Sequence, residues 1–503
     1  MQLGIDFGTT RTVVAYADRG NYPVVAFTDH EGDAHEFWPS LIGWDDGPCF
    51  GFTAGVLQAA GKPVLRSIKR ELASTSVSAA TEVTIAGHQI KLVDALGGFL
   101  SQLRTELETS STIARLLDAD PISSVVIAVP AHANSAQRFL TLEAFRQAGF
   151  PVTAMLNEPS AAGFEYTHRL ASTPSARRSR LVVYDLGGGT FDASLVAIHD
   201  RSHAVLGSVG INRLGGDDFD IVLADLACER AGVTPDELGV DDYFRLLGDA
   251  QLGKEQLAPQ SRRIVLDVRD QTVIVPVPDY YQACTSLVEQ SIQAMDPLVE
   301  GLDAGTPDLS TLAGLYLVGG ASSLPLVPRM LKESFGRRVY RSPYPAASTA
   351  IGLAIASDPE SGYTLSDRLS RGFGVFREAE GGLRLQFDSI FDRNQAMMAG
   401  SDVLVQRTYR AAHNLGWYRF VEYAGLSAAG QPEGDIVPYG DVVFPFDSRL
   451  QKSLPGAGEV EIRRTGEGHL IEELYRLDQH GIVSVTITDK DTGYQQTHQL
   501  GAG

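Results

Sequence analysis

An α/β protein built from two related halves, followed by an all-β domain, is the fold class this 503-residue chain predicts. Two apolar strands far apart in the chain each deliver an aspartate into a Gly/Thr turn: Leu3-Gly4-Ile5-Asp6-Phe7-Gly8-Thr9-Thr10 and Leu181-Val182-Val183-Tyr184-Asp185-Leu186-Gly187-Gly188-Gly189-Thr190-Phe191-Asp192. A third strand closes on glycines at Leu315-Tyr316-Leu317-Val318-Gly319-Gly320-Ala321-Ser322, and strands alternate with helices up to about residue 355. Past residue 362 the helical spacing stops and short β-rich runs take over.

Residues 1–28 alternate as strands and hairpins do, with Gly20-Asn21 as a turn. Helical apolar spacing covers 93–117, and 123–129 reads as a buried strand stopped by Pro130. A helix over 135–148, a short apolar segment over 152–156 and a helix from Pro159 to about 168 come next, the proline suiting a first helical turn. The polar, basic stretch 171–180 is a solvated loop before the second aspartate strand. Leu214-Gly215-Gly216-Asp217-Asp218-Phe219 turns into a helix over 219–230; 241–257 is helical, and 264–268 and 272–277 are strands. Long helical spacing over 279–302 precedes the third glycine turn, and a helix over 325–335 follows it. Ser357-Asp358-Pro359-Glu360-Ser361-Gly362 is polar and rich in turn residues, as a linker is. Beyond it strands are expected at 372–377, 383–387, 403–409, 417–423, 441–446, 459–464, 469–476 and 483–489, an all-β domain.

The two aspartate turns carry chemistry. Glycines let backbone N–H groups approach phosphate oxygens, threonine hydroxyls add hydrogen bonds, and a carboxylate at the strand end faces a metal ion. Their recurrence near positions 6 and 185 places a nucleotide between the halves.

Composition narrows the classes. With 44% apolar and 21% charged residues the chain is ordinary globular material. A balance of 42 basic against 62 acidic residues, net charge -20, opposes nucleic acid and anionic membrane as partners. Cys49, Cys228 and Cys284 are widely spaced with no CxxC pair, so neither a disulfide framework nor a zinc site is expected. No basic leader followed by an apolar stretch opens the sequence, and no run reaches the ~20 apolar residues of a membrane span, so a cytoplasmic location is expected.

In order and content these motifs resemble the heat shock protein 70 (DnaK-type) chaperone family, whose ATPase domain has the duplicated actin-like (RNase H-like) fold. The resemblance rests on Ile5-Asp6-Phe7-Gly8-Thr9-Thr10, Ile68-Lys69-Arg70, Val129-Pro130-Ala131 with Ala136-Gln137-Arg138, and Asn157-Glu158-Pro159-Ser160-Ala161-Ala162. It continues through Asp185 to Asp192, Leu214 to Asp220 and Val318-Gly319-Gly320. Leu477-Asp478-Gln479-His480-Gly481-Ile482-Val483-Ser484-Val485 and Asp489-Lys490-Asp491-Thr492-Gly493 look like the end of that family's peptide-binding β-sandwich. The implied domains are an ATPase over 1–357, a linker over 358–370 and a β-sandwich over 371–503 without a helical lid, since only ten residues follow Gly493.

The resemblance implies a role for each matched residue. Asp6 and Asp185, supported by Asp192, hold hydrated magnesium. Lys69 faces the terminal phosphate, and Glu158 and Thr190 orient the attacking water with Asp185 assisting. Gly8, Thr9, Thr10, Gly187, Gly188, Gly189 and Thr190 clamp phosphates, with Arg11 adding positive charge nearby. Gly215, Gly216, Lys254, Gly319, Gly320 and Ala321 complete the nucleotide site on the nucleoside side. Pro130 and Arg138 relay nucleotide state to the linker. ATP or ADP, Mg2+ and in some members K+ are the implied cofactors. Unfolded or exposed polypeptide segments are the implied clients, with a J-domain co-chaperone and a nucleotide-exchange factor as helpers. The second reading is an ATP-driven scaffold or regulator holding one folded protein partner; the third is a small-molecule kinase of the same superfamily.

The chain also departs from the pattern. Ser323 stands where an arginine stacks on adenine, Glu255 follows Lys254 where a second basic residue is frequent, and Gln251 and Ala258 replace polar contacts to the nucleoside. Loss of these groups predicts adenine binding weaker by about 1–3 kcal/mol. In the linker, Tyr363-Thr364-Leu365-Ser366-Asp367-Arg368-Leu369 keeps only two leucines to dock, which puts coupling of the two sites in question. Glu380 stands before Gly381-Gly382 where an apolar residue arches over the peptide, which opposes apolar clients.

Overall fold

A computed structural model describes the chain except residues 75, 170–178, 301–311, 380–383, 394, 399, 439–441, 453–459 and 501–503. Two compact units emerge: the first holds 1–73, 81–132 and 141–366, the second 74–80, 133–140 and 367–503.

The first unit contains the expected duplication. In one half, strand Gln2–Phe7 pairs antiparallel with Arg11–Tyr16 and parallel with Ser124–Val129, which in turn pairs parallel with Val152–Asn157. In the other, Arg180–Leu186 pairs antiparallel with Phe191–His199 and parallel with Leu312–Val318, which pairs parallel with Val339–Arg341. Each aspartate strand is therefore interior to its sheet, flanked on both sides, and its carboxyl end opens where the antiparallel partner turns back. Such strands, covered on both faces, need continuous apolar runs, and Leu181 to Leu186 is buried throughout. Helices Glu158–Arg169 and Ser348–Ser357 pack against each other between the halves. Their contact is tight: a Cβ on Gly352 would lie 1.8 Å from the Ala161 carbonyl oxygen.

Two expected helices are interrupted. Helix Leu92–Thr109 ends where Ser110 and Ser111 return hydroxyl hydrogen bonds to the Glu106 and Leu107 carbonyls, and Ala114–Leu117 is a separate turn. Helix Val277–Ala294 stops at Met295 before Asp296–Glu300.

Part of the predicted linker is a strand. Thr364–Arg368 lies parallel to Ser202–Ile211, with Ser202 opposite Thr364 and Ala204 opposite Ser366. Just before it, the Tyr363 ring packs on Phe164 at 5.3 Å and His203 at 5.9 Å between centroids. The Arg201 guanidinium lies 5.9 Å from the same ring centroid and donates to the Ser361 carbonyl. The segment docks through backbone pairing and an aromatic seat rather than through leucines alone.

The second unit is built on two antiparallel sheets. One pairs Arg384–Phe391, Gly372–Ala379, Leu415–Leu426 and Pro432–Pro438, and Val442–Pro445 also pairs with Leu415–Leu426. The other orders Val403–Arg410, Leu470–Leu477, Val483–Asp489 and Gln495–Gln499. Phe373, Phe420, Phe444, Ile471, Tyr475, Val485 and Ile487 form the common core. The run expected at 459–464 makes no strand among its described residues, only an isolated bridge from Arg464 to His413. Glu380, Gly381 and Gly382 lie outside the described residues.

Candidate functional site

A cavity of about 780 Å³ opens between the halves of the first unit. Of the predicted site residues, Asp6, Gly8, Thr9, Thr10, Arg11, Lys69, Glu158, Asp185, Gly187, Gly188, Thr190, Gly216, Lys254, Gly319, Gly320 and Ala321 line it.

The two Gly/Thr turns abut. A Cβ on Gly188 would come within 2.8 Å of the Thr10 side chain, so only glycine lets them approach this closely. Gly319 takes φ +83, and a Cβ there would lie 2.3 Å from Asp185 Oδ1. Gly189 and Gly215 stand behind the cavity wall: Arg70 donates to the Gly189 carbonyl at 3.1 Å, and Gly215 packs on the Gly188 and Gly189 backbone. The second turn is tied down by Gly187 N–H to Thr190 O at 3.0 Å, and by Gly216 N–H to Gly187 O at 2.9 Å.

Four carboxylates, those of Asp6, Glu158, Asp185 and Asp192, meet the Lys69 ammonium beside the two turns. Lys69, buried on helix Ile68–Leu72, is ion-paired with buried Glu158. Burial opposes its charge most strongly, but Glu158, Asp6 and Asp192 together hold its pKa above the ordinary lysine value. Asp185 and Asp192 stand opposite each other in the antiparallel pair, so their side chains share a face. Burial, reinforced by Glu158, pushes the Asp6 carboxyl up to about 7. The same two causes raise Asp185 and Asp192 well above the carboxylate range. Asp192 sits deeper than the cavity lining, and its Oδ1 accepts no hydrogen bond among the described residues, the His132 ring being 3.9 Å away.

These all-oxygen donors, crowded until their charges resist ionisation, fit a hard divalent cation. No three His, Cys, Asp or Glu side chains among the described residues converge to ligate an ion unaided. The fit is to an ion that keeps most of its water, as magnesium does.

At the opposite end Lys254 donates to the Gly216 carbonyl at 2.6 Å and pairs with buried Asp220 at 2.6 Å. Burial raises Asp220 to about 6 despite that partner. Arg11 donates to Glu255 at 2.6 Å and lies over the Phe37 ring, so much of its charge is answered by Glu255. Gln251 accepts from Arg66 at 2.8 Å.

Sequence reasoning passed over the residues that brace the site. Arg70 bonds Asp218 at 2.7 Å, and Ser67, in the left-handed region at φ +58, donates to Asp217 at 2.6 Å. Both contacts tie the Ile68-Lys69-Arg70 segment to the Leu214–Asp218 turn. The signal was present: Arg70 follows Lys69 directly, and Asp217-Asp218 is a doubled acid at a helix start.

Pro130 belongs to the first unit and Arg138 to the second. Arg138 is buried, and its Nη1 donates to the His480 carbonyl at 3.3 Å. In the same unit Ser135 Oγ donates to Glu422 at 2.5 Å. Among the described residues no helix is long and apolar enough to cross a membrane.

Comparison with known proteins agrees with this geometry. Residues 2–369 match the family model described as Hsp70 protein. Similar curated proteins include chaperone protein HscA of Cronobacter sakazakii and of Klebsiella pneumoniae, each 29% identical over 99% of this chain and 78% of theirs. The HscA of Escherichia coli O17:K52:H18 is 28% identical over the same shares. With that match over most of its length, on a duplicated fold whose glycine turns meet in one cavity, the chain belongs to the Hsp70 family.

Proposed function

We propose that this protein hydrolyses ATP to ADP and phosphate in the cavity and couples nucleotide state to polypeptide binding by its β-domain. One observation carries the reading: both Gly/Thr turns, Lys69, Glu158, Asp6 and Asp185 line one nucleotide-sized cavity, with Lys69 and Glu158 ion-paired in it.

The two turns offer backbone N–H groups and the Thr9, Thr10 and Thr190 hydroxyls to phosphate oxygens. Lys69 stabilises charge developing on the terminal phosphate. Glu158, held by Lys69, and Thr190 orient the attacking water, whose proton passes toward the carboxylates. Asp6 and Asp185, with Asp192 behind, would hold hydrated magnesium, which when bound would offset phosphate charge and relieve the crowding of carboxylates. Strand pairing of residues 364–366 to Ser202–Ala204 supports a linker that senses the state of the ATPase domain.

A second reading, an ATP-driven scaffold or regulator for one folded partner, is favoured by an ion cluster in the β-domain. Arg377 and Arg407 both bond Asp388, at 2.8 and 2.9 Å, and Arg377 also bonds buried Glu473 at 2.6 Å. The cluster's partly exposed members, Arg407 and Asp388, present charge rather than apolar surface on that side, which favours a polar partner over an apolar segment. Single-turnover ATP hydrolysis with and without an extended apolar peptide, with Thr190→Ala as control, separates the two. Peptide-dependent turnover supports the chaperone; turnover indifferent to peptide leaves the scaffold.

A further inference from the structure

A second cavity, of about 310 Å³, opens in the first unit and shares no lining residue with the nucleotide-sized one. It lies at the amino ends of strands Arg180–Leu186 and Leu312–Val318, whereas Asp185 and Gly319 mark their carboxyl ends. From Leu312 to Gly319 the extended chain covers roughly 20 Å, so the two cavities are separate sites. Val182, Val299, Leu312, Leu315 and Phe335 supply apolar walls, all but Phe335 buried. Arg337 and Arg338 complete the lining with positive charge. They belong to a basic stretch in an acidic chain: residues 329–341 hold five Lys or Arg and one acid, Glu333, against a net charge of -20 overall.

An apolar cavity with a guanidinium beside it matches a ligand made of one alkyl chain and one anionic head. Main-chain groups at its wall are already engaged: the Leu315 N–H donates to the Arg338 carbonyl at 2.9 Å, and the Leu312 carbonyl accepts from Arg338 Nη1 at 3.1 Å. A peptide backbone needs such groups free, and an alkyl chain does not. The volume stands at the small end of ligand cavities, roughly 300–1,000 Å³, which suits a single chain of medium length. We propose that this cavity binds a medium-chain fatty carboxylate. The chain lies against Val182, Val299, Leu312 and Leu315, and the carboxylate pairs with Arg337, which is exposed and has no ion pair among the described residues. Free acid rather than bilayer lipid is the source, because a chain of this net charge is repelled by an anionic membrane.

Calorimetric titration of the full chain with decanoate and octanoate, below the concentrations at which they form micelles, tests the site. Decanoate is expected to bind, and octanoate about fifteenfold more weakly, since each buried methylene is worth about fourfold. Arg337→Glu, a change at an exposed position, is expected to weaken decanoate about threefold to tenfold and to leave decanol, which has the chain without the charge, unchanged. Val299→Phe fills the cavity and is expected to abolish binding of both; thermal unfolding shows whether this variant folds, and Arg337→Glu carries the test if it does not. No decanoate binding, equal affinity for the two acids, equal losses of decanoate and decanol in Arg337→Glu, or undiminished binding in a folded Val299→Phe overturns the assignment. Competition by an extended apolar peptide, or sedimentation with phosphatidylcholine and phosphatidylglycerol vesicles, if abolished by Val299→Phe, gives the cavity to polypeptide or to bilayer lipid and overturns it as well.

Discussion

Replacing Lys69 by methionine separates two roles that one contact combines. The ammonium is buried, ion-paired with Glu158, and its pKa is held up also by Asp6 and Asp192. Removing it strands Glu158 in the interior, and breaking a buried pair in this way costs about 3–5 kcal/mol. Lys69→Met/Glu158→Gln leaves no stranded charge at the pair, so thermal unfolding is expected to show the double variant well above the sum of the singles, with a coupling of about 2–4 kcal/mol. Hydrolysis behaves differently. If Lys69 stabilises charge on the transferring phosphate, Lys69→Met lowers the single-turnover rate about 10²–10³-fold, and the double variant recovers none of it. Stability is rescued while the rate is not. A double variant whose rate returns to within about threefold of the native value would refute the reasoning, showing that Lys69 serves only to neutralise Glu158.

Three further outcomes are expected. Burial pushes the His203 imidazole down to about 4, while the unfolded chain titrates near 6.5. The neutral ring's contribution is complete above pH 6.5 and is lost as pH falls through 4, about 3 kcal/mol in all, so His203→Gln flattens the decline of Tm over that window. Tyr363→Ala removes the ring that seats on Phe164, His203 and Arg201, and hydrogen exchange at 364–366 is expected to quicken about thirtyfold, a loss of about 2 kcal/mol; unchanged exchange counts against the aromatic seat. Gly215→Ala places a Cβ 2.6 Å from the Gly189 nitrogen, where backbone must yield, so MgADP affinity is expected to fall at least about tenfold by titration.

What was legible in the sequence was what is local. Each aspartate strand and its turn lies within a dozen consecutive residues, so apolar runs and glycines were enough to place them. Lys69 and Glu158 are 89 positions apart, and only the order of motifs shared with a family brought them together. Arg11 and Glu255, 244 apart, carry no local signal, so Arg11 was read as a phosphate charge while Glu255 was noticed only as a departure. Strand Pro432–Pro438 went unread because prolines bound it and Gly434 interrupts it, whereas pairing with Leu415–Leu426 overrides those propensities. The run at 459–464 failed for the converse reason: among its described residues the alternation finds no neighbouring strand, only the bridge from Arg464 to His413. Residues 364–368 looked like linker because nothing in them announces a strand; the free edge of Ser202–Ile211 makes one of them.

The contact of Gly352 with the Ala161 carbonyl fixes how the two halves can move. Backbone against backbone leaves no room for a side chain, so this is where the two helices come closest and where a rotation between them displaces atoms least. The helix pair therefore acts as a fulcrum. A turn of a few degrees about it barely displaces its own atoms, yet at the distant rim, where Arg11 meets Glu255, the same turn is magnified by the length of the lever.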